Sequence, residues 1–179
     1  MRRVALGWIG LVGLLCGPMV VRGELVGYWS FDEGAGAVLG DFSGHGNHGS
    51  LAGTTLPAWT TGHTVRPGDS ALSFTGSAGV TNSSAAPYVV LGDRPDLRIA
   101  GNQTISMWLY PTSFASRQNP YAKEFAGSGT LTQETSGAIN YYYGSGGGNN
   151  SPFDQAGSGS LVLNQWNHAT VVRDVGAMK

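Results

Sequence analysis

After Gly23 this chain is written in short apolar runs that alternate at every second position and stop at Gly, Pro, Asn or Ser. Neighbouring side chains of a strand point to opposite faces, so alternation sends one face into a core and leaves the other to solvent. The best run is Asn102 to Tyr110. Ile105, Met107 and Leu109 share one face, and Thr104, Ser106, Trp108 and Tyr110 share the other. Large groups on both faces imply a central strand covered on both sides, or one face lining a groove. Leu25 to Phe31 alternates in the same way, with Leu25, Trp29 and Phe31 on one side.

Further strands are expected at Ser70 to Thr75, Pro87 to Leu91, Ser160 to Leu163 and Trp166 to Asp174. Thr130 to Glu134 and Ala138 to Tyr143 read as a hairpin turning near Ser136-Gly137. Asp93 to Ala100 reads as a brief helical turn or an extended rim. Leu51 to Asp69 reads as a loop with Trp59 as its only bulky anchor, and Gly144 to Gly159 as a second loop. Long charged helical patterns are absent and the chain holds 29 glycines. The fold class expected is all-β, an antiparallel β-sandwich.

Residues 1–23 read as a signal peptide. Arg2 and Arg3 supply a positive start, Val4 to Leu15 is a nearly unbroken apolar run, and cleavage falls most simply before Glu24. The run is shorter than the roughly 20 residues of a spanning helix, so no stable membrane insertion is expected once it is removed. Cys16, the one cysteine, leaves with it, and the mature product is expected to be secreted or held at the cell surface without disulfides. Three of the ten basic residues leave as well, so seven face eleven acidic ones, a formal balance of −4. No basic stripe remains for phosphates, and nucleic acid is not an expected partner. The 156 residues from Glu24 to Lys179 suit one domain.

Five stretches, in order, resemble one known family. Tyr28-Trp29-Ser30-Phe31-Asp32-Glu33-Gly34 with Asp41-Phe42-Ser43-Gly44-His45-Gly46-Asn47-His48-Gly49 is similar to the opening of LamG-like jellyroll domains of the concanavalin A-like lectin/glucanase superfamily. Ala71 to Gly76, Tyr88 to Leu91, Thr104 to Pro111 and Asn164 to Arg173 are similar to later strands of that template. The resemblance implies a jellyroll sandwich over residues 24–179. It also implies closing strands after the last of these, which Val175 to Lys179 does not supply. The domain is therefore expected to be incomplete at the C-terminus, a fragment of a longer protein with neighbouring domains.

Catalysis is not expected of this segment. The family's glucanases, by resemblance, would place paired carboxylates at alternate positions of one strand. Here Asp32 and Glu33 are adjacent, and Glu124 and Glu134 stand alone. No G-x-S-x-G elbow occurs. For a cation, Asp41 and Asn47 with glycine-exposed carbonyls are candidate ligands of a structural Ca2+, a role that the resemblance supports. The other reading is that Asp41 and Ser43 hydrogen-bond the turn themselves. His45 and His48 lack the two further ligands that zinc needs. His168 reads as a packed, hydrogen-bonded histidine, and Trp29, Trp108 and Trp166 read as core.

Aromatic side chains stack on the C–H faces of sugars, so Tyr141 to Tyr143, Trp108, Tyr110, Trp59 and Tyr121 are the aromatic candidates. Tyr141 and Tyr143 share a face, and Asn140, Asn149 and Asn150 could meet hydroxyls beside them. Asn82, Asn102 and Asn149 begin glycosylation acceptor triplets. The functional reading is a non-catalytic recognition module that binds a polysaccharide or glycan. The alternatives are a structural or adhesive sandwich that docks proteins or spaces domains, and the accessory part of a secreted hydrolase.

Overall fold

The computed structural model describes residues 23–75, 86–124, 129–142, 153–155 and 161–174. The described residues form only strands and one 3-10 turn, Pro95–Leu97, which falls inside the expected helical turn. A first sheet orders β1 (Val38–Leu39), β2 (Gly49–Ala52) and β5 (Tyr88–Val90). A hairpin joins β3 (Ala58–Thr61) to β4 (Ser70–Ser73), with Trp59 opposite Leu72. β6 (Gln103–Leu109) pairs with β11 (Asn167–Arg173), and β7 (Gln118–Glu124), β8 (Gly129–Gln133), β9 (Ile139–Tyr142) and β10 (Phe153–Gln155) make a four-stranded sheet. Every ladder is antiparallel, and the sheets are not closed on one another. No helix among the described residues is long and apolar enough to cross a membrane.

The core lies between β6–β11 and β8–β9. Leu131, Ile139, Tyr141 and Leu161 are buried there, and Ile105, Met107 and Leu109 of β6 with Val171 of β11 pack against them. These are the odd-numbered positions of β6, so alternation turns Thr104, Ser106, Trp108 and Tyr110 outward. Arg173, at the end of β11, is also buried. Its guanidinium donates to the carbonyls of Gly101 and Ile99 (2.7 and 2.6 Å) and to the Tyr141 hydroxyl (3.1 Å).

Several expectations are corrected. Leu25 to Phe31 forms no ladder, because its backbone groups are taken by a loop. The Tyr28 N–H goes to Asp41, the Tyr28 carbonyl accepts from Phe42 N, and the Val26 carbonyl accepts from the Asn47 amide. Phe31 then turns into the left-handed region at φ 64°. The expected loop from Leu51 to Asp69 holds the end of β2 and all of β3. β7 carries Pro120 and shifts register twice, which hides it from any alternation pattern. Ser160 to Leu163 is not a strand in its described part; Leu161 N bonds the Gly137 carbonyl and seats Leu161 in the core. The tryptophans do not fill the interior: Trp29 and Trp166 are half-buried and Trp108 is 47% exposed.

Candidate functional site

The loop proposed for calcium is built around one carboxylate. Asp41 Oδ1 accepts from the backbone N–H groups of Tyr28 and Ser43, both at 2.9 Å. Its Oδ2 accepts from the Ser43 hydroxyl and the Asn47 N–H, both at 2.8 Å. Gly44 and Gly46, at φ 96° and 70°, supply the left-handed turns that bring Asn47 back to Asp41. The Asn47 side chain donates to the Val26 carbonyl, and its own carbonyl accepts from the Trp29 indole at 3.0 Å.

Four donors occupy about the four lone-pair sites that a carboxylate offers. The geometry therefore favours the turn-forming role of Asp41 over the cation-binding one. Burial works to raise the Asp41 pKa, but the N–H groups of Tyr28, Ser43 and Asn47 and the Ser43 hydroxyl overcome it and hold the value at about 2. Thermal melts in excess calcium and in excess chelator are expected to superpose. A midpoint raised by calcium would restore Asp41 and Asn47 as ligands.

The two loop histidines diverge. His48, though exposed, turns back on the loop, its Nδ1 accepting the Asp41 N–H at 2.9 Å. His45 is half-buried and reaches away from Asp41 to Asp96 (2.9 Å) and Glu24 (3.2 Å), and the Asp96 carboxylate raises its pKa. Among the described residues no three His, Cys, Asp or Glu side chains gather for a metal ion.

Of the residues expected to meet a sugar, Tyr141 is corrected outright. It is 2% exposed within the core, and its hydroxyl donates to Gln103 (3.2 Å), so neither ring face is open to stacking. Asn140, on the other face of β9, is also buried and bonds Glu134. Tyr143, Asn149 and Asn150 lie outside the described residues.

The aromatic surface stands elsewhere, on the outer face of β6 and β11. Register sets Trp108 opposite His168, Ser106 opposite Thr170 and Thr104 opposite Val172. The Trp108 indole stands in a row of rings. His63, from the loop after β3, stacks on it at 4.5 Å and 17°, and His168 leans against it at 4.9 Å. Trp166 touches both His63 (6.1 Å) and Tyr110 (5.4 Å) in edge-to-face geometry. His168 Nε2 and the Ser106 hydroxyl are 2.8 Å apart, which keeps the expected hydrogen bond but on a wet face. Trp108 and Tyr110 remain 47% and 45% exposed.

Trp108 and Tyr110 were visible in the sequence as aromatic candidates; His63 was not. It belongs to a stretch without alternation, and only the β3–β4 hairpin carries it to Trp108.

The family model described as the concanavalin A-like lectin/glucanases superfamily matches residues 82–179. That span takes in β5 to β11, and so both the core and the ladder that carries Trp108. No curated protein and no solved structure matches the chain.

Proposed function

Because the chain belongs to the concanavalin A-like lectin/glucanases superfamily, we propose that it is a non-catalytic recognition module that binds carbohydrate through the outer face of β6 and β11. One observation carries this reading: Trp108 and Tyr110 stand about half in water on a strand whose opposite face is core. A large ring left wet forgoes roughly 25 cal/mol for each Å² of apolar surface. A sugar ring covers such a surface with its C–H face while its hydroxyls reach polar neighbours. Thr104, Ser106, Thr170 and His168 are those neighbours here.

The non-catalytic part rests on what this face is made of. Glycoside hydrolysis requires two carboxyl groups across the scissile bond. The outward positions of β6 and β11 carry Thr, Ser and Trp opposite Val, Thr and His, with no acid among them. Ser106 and His168 resemble the nucleophile and base of a catalytic triad, but among the described residues no carboxylate bonds the His168 ring to orient it. Residues 1–23 add the expectation of export, which would bring the module to extracellular glycans. A protein-docking surface is the second reading, favoured by Val172, 61% exposed on the same face.

The test is a glycan and polysaccharide array probed with the full chain, wild type and W108A. Truncating the indole is expected to weaken binding about tenfold or more. The melting midpoint should move little, because the ring lies outside the core. Equal binding by the variant, or no glycan bound by the wild type, would remove the proposal.

A further inference from the structure

Two imidazoles lie against Trp108, and they are held very differently. His168 belongs to β11, sits opposite Trp108 in the ladder, and has its Nε2 2.8 Å from the Ser106 hydroxyl. Its ring leans on the indole at 4.9 Å and 44°. His63 comes from the turn between β3 and β4 and lies nearly parallel to the indole, at 4.5 Å and 17°. The turn itself is pinned. Gly62 N donates to the Asp69 carbonyl and Asp69 N to the Arg66 carbonyl, while the Asp69 carboxylate accepts from both the N–H and the hydroxyl of Thr64. The imidazole it carries is held only by contact. Its Nδ1 stands 3.9 Å from Asp69 Oδ1, beyond hydrogen-bond length, and among the described residues no hydrogen bond fixes the ring. His63 is exposed, so a side-chain rotation alone lifts it off Trp108.

That near-parallel ring stands where a ligand would lie. A sugar covers an indole by laying its C–H face flat on the ring plane, and a face already stacked at 4.5 Å holds no second ring. His168 does not make room, since its strand and the Ser106 hydroxyl both fix it. Resting on the carbohydrate reading above, we propose that His63 is an autoinhibitory cover on Trp108, and that a sugar stacks there only after the imidazole has swung off. The binding-competent form is then a fraction of the molecules, and the apparent dissociation constant rises in inverse proportion to that fraction. A ring–ring contact of this kind corresponds to roughly threefold to tenfold in an equilibrium constant. The opposite role, a prop that steadies the indole for its ligand, carries the reverse sign: removing the imidazole would then weaken binding.

The experiment is a titration of the full chain, as wild type, H63A, H63F and W108A, with cellobiose, xylobiose, mannobiose and lactose, followed by NMR. In the ligand-free wild type the His63 ring protons are expected to be shifted upfield by the indole, and W108A should abolish that shift. The sugar that binds should abolish it too, by displacing the imidazole. H63A is expected to bind that sugar roughly threefold to tenfold tighter than wild type. H63F keeps a flat ring on the indole and should gain nothing, which separates loss of the cover from a general loosening of the turn. Equal or weaker binding by H63A, a gain shared by H63F, or a His63 ring still upfield in the saturated complex overturns the cover. Wild-type binding that depends on Trp108 would in that case leave the carbohydrate reading standing. No sugar bound by either wild type or H63A removes both.

Discussion

R173M is expected to destabilise the domain by about 3 kcal/mol or more, and to leave the purified chain largely unfolded at physiological temperature. Arg173 is 1% exposed, and its guanidinium ties three parts of the chain together. It ends β11, it bonds the Ile99 and Gly101 carbonyls just before β6, and it reaches the Tyr141 hydroxyl on β9. Methionine fills much of the volume but donates nothing, so two carbonyls lose this donor where water cannot replace it. Loss of one buried hydrogen-bonding partner costs about 1–3 kcal/mol, and here several are lost together. R173K should fall between the two, because an ammonium keeps the charge and loses the planar fork. Urea unfolding checks this, with the midpoint read at unchanged slope. A loss below about 1 kcal/mol for R173M would show that the guanidinium is dispensable.

D41A is expected to cost about 2–4 kcal/mol, since four donors lose a charged acceptor at once. The effect carries a pH signature. The Asp41 pKa is depressed to about 2 in the folded protein, so its contribution is fully present above the unfolded value near 3.8. It disappears as pH falls through the folded value. Wild-type stability should therefore decline between about pH 4 and pH 2, by about 1–2 kcal/mol from this group once solvent screening is allowed for. D41N should start lower at pH 6 and show a flatter decline over the same window. Parallel pH profiles for the two proteins would mean that the carboxylate does not hold the loop.

The two substitutions act on different halves of the argument. Arg173 secures the sandwich whose outer face carries Trp108, whereas Asp41 secures the N-terminal segment through a loop that was first a candidate for calcium. In each case a buried charged group is explained by the backbone groups it satisfies. The exposed rings are not explained by packing, and for that reason the functional reading rests on them.

Alternation in the sequence located β6 and β11 and told which positions of β6 share a face, because period two is a property of the backbone and needs no partner to be read. The turn at Gly137 and the hairpin around it were legible for the same local reason. What lay across from each face was not legible. Alternation gives two faces to Trp108 and to Tyr141 alike. Only the stacking of β6–β11 on β8–β9 sends Tyr141 into the core and leaves Trp108 in water. Likewise the glycines and Asp41 announced a tight loop, but its four donors come partly from Tyr28, thirteen residues earlier in the chain. His63 reaches Trp108 only through a hairpin too short and polar to stand out. The chain by itself determined which segments pleat and which side chains share a side; the tertiary structure decided which side stays wet, because that depends on contacts between segments far apart in sequence.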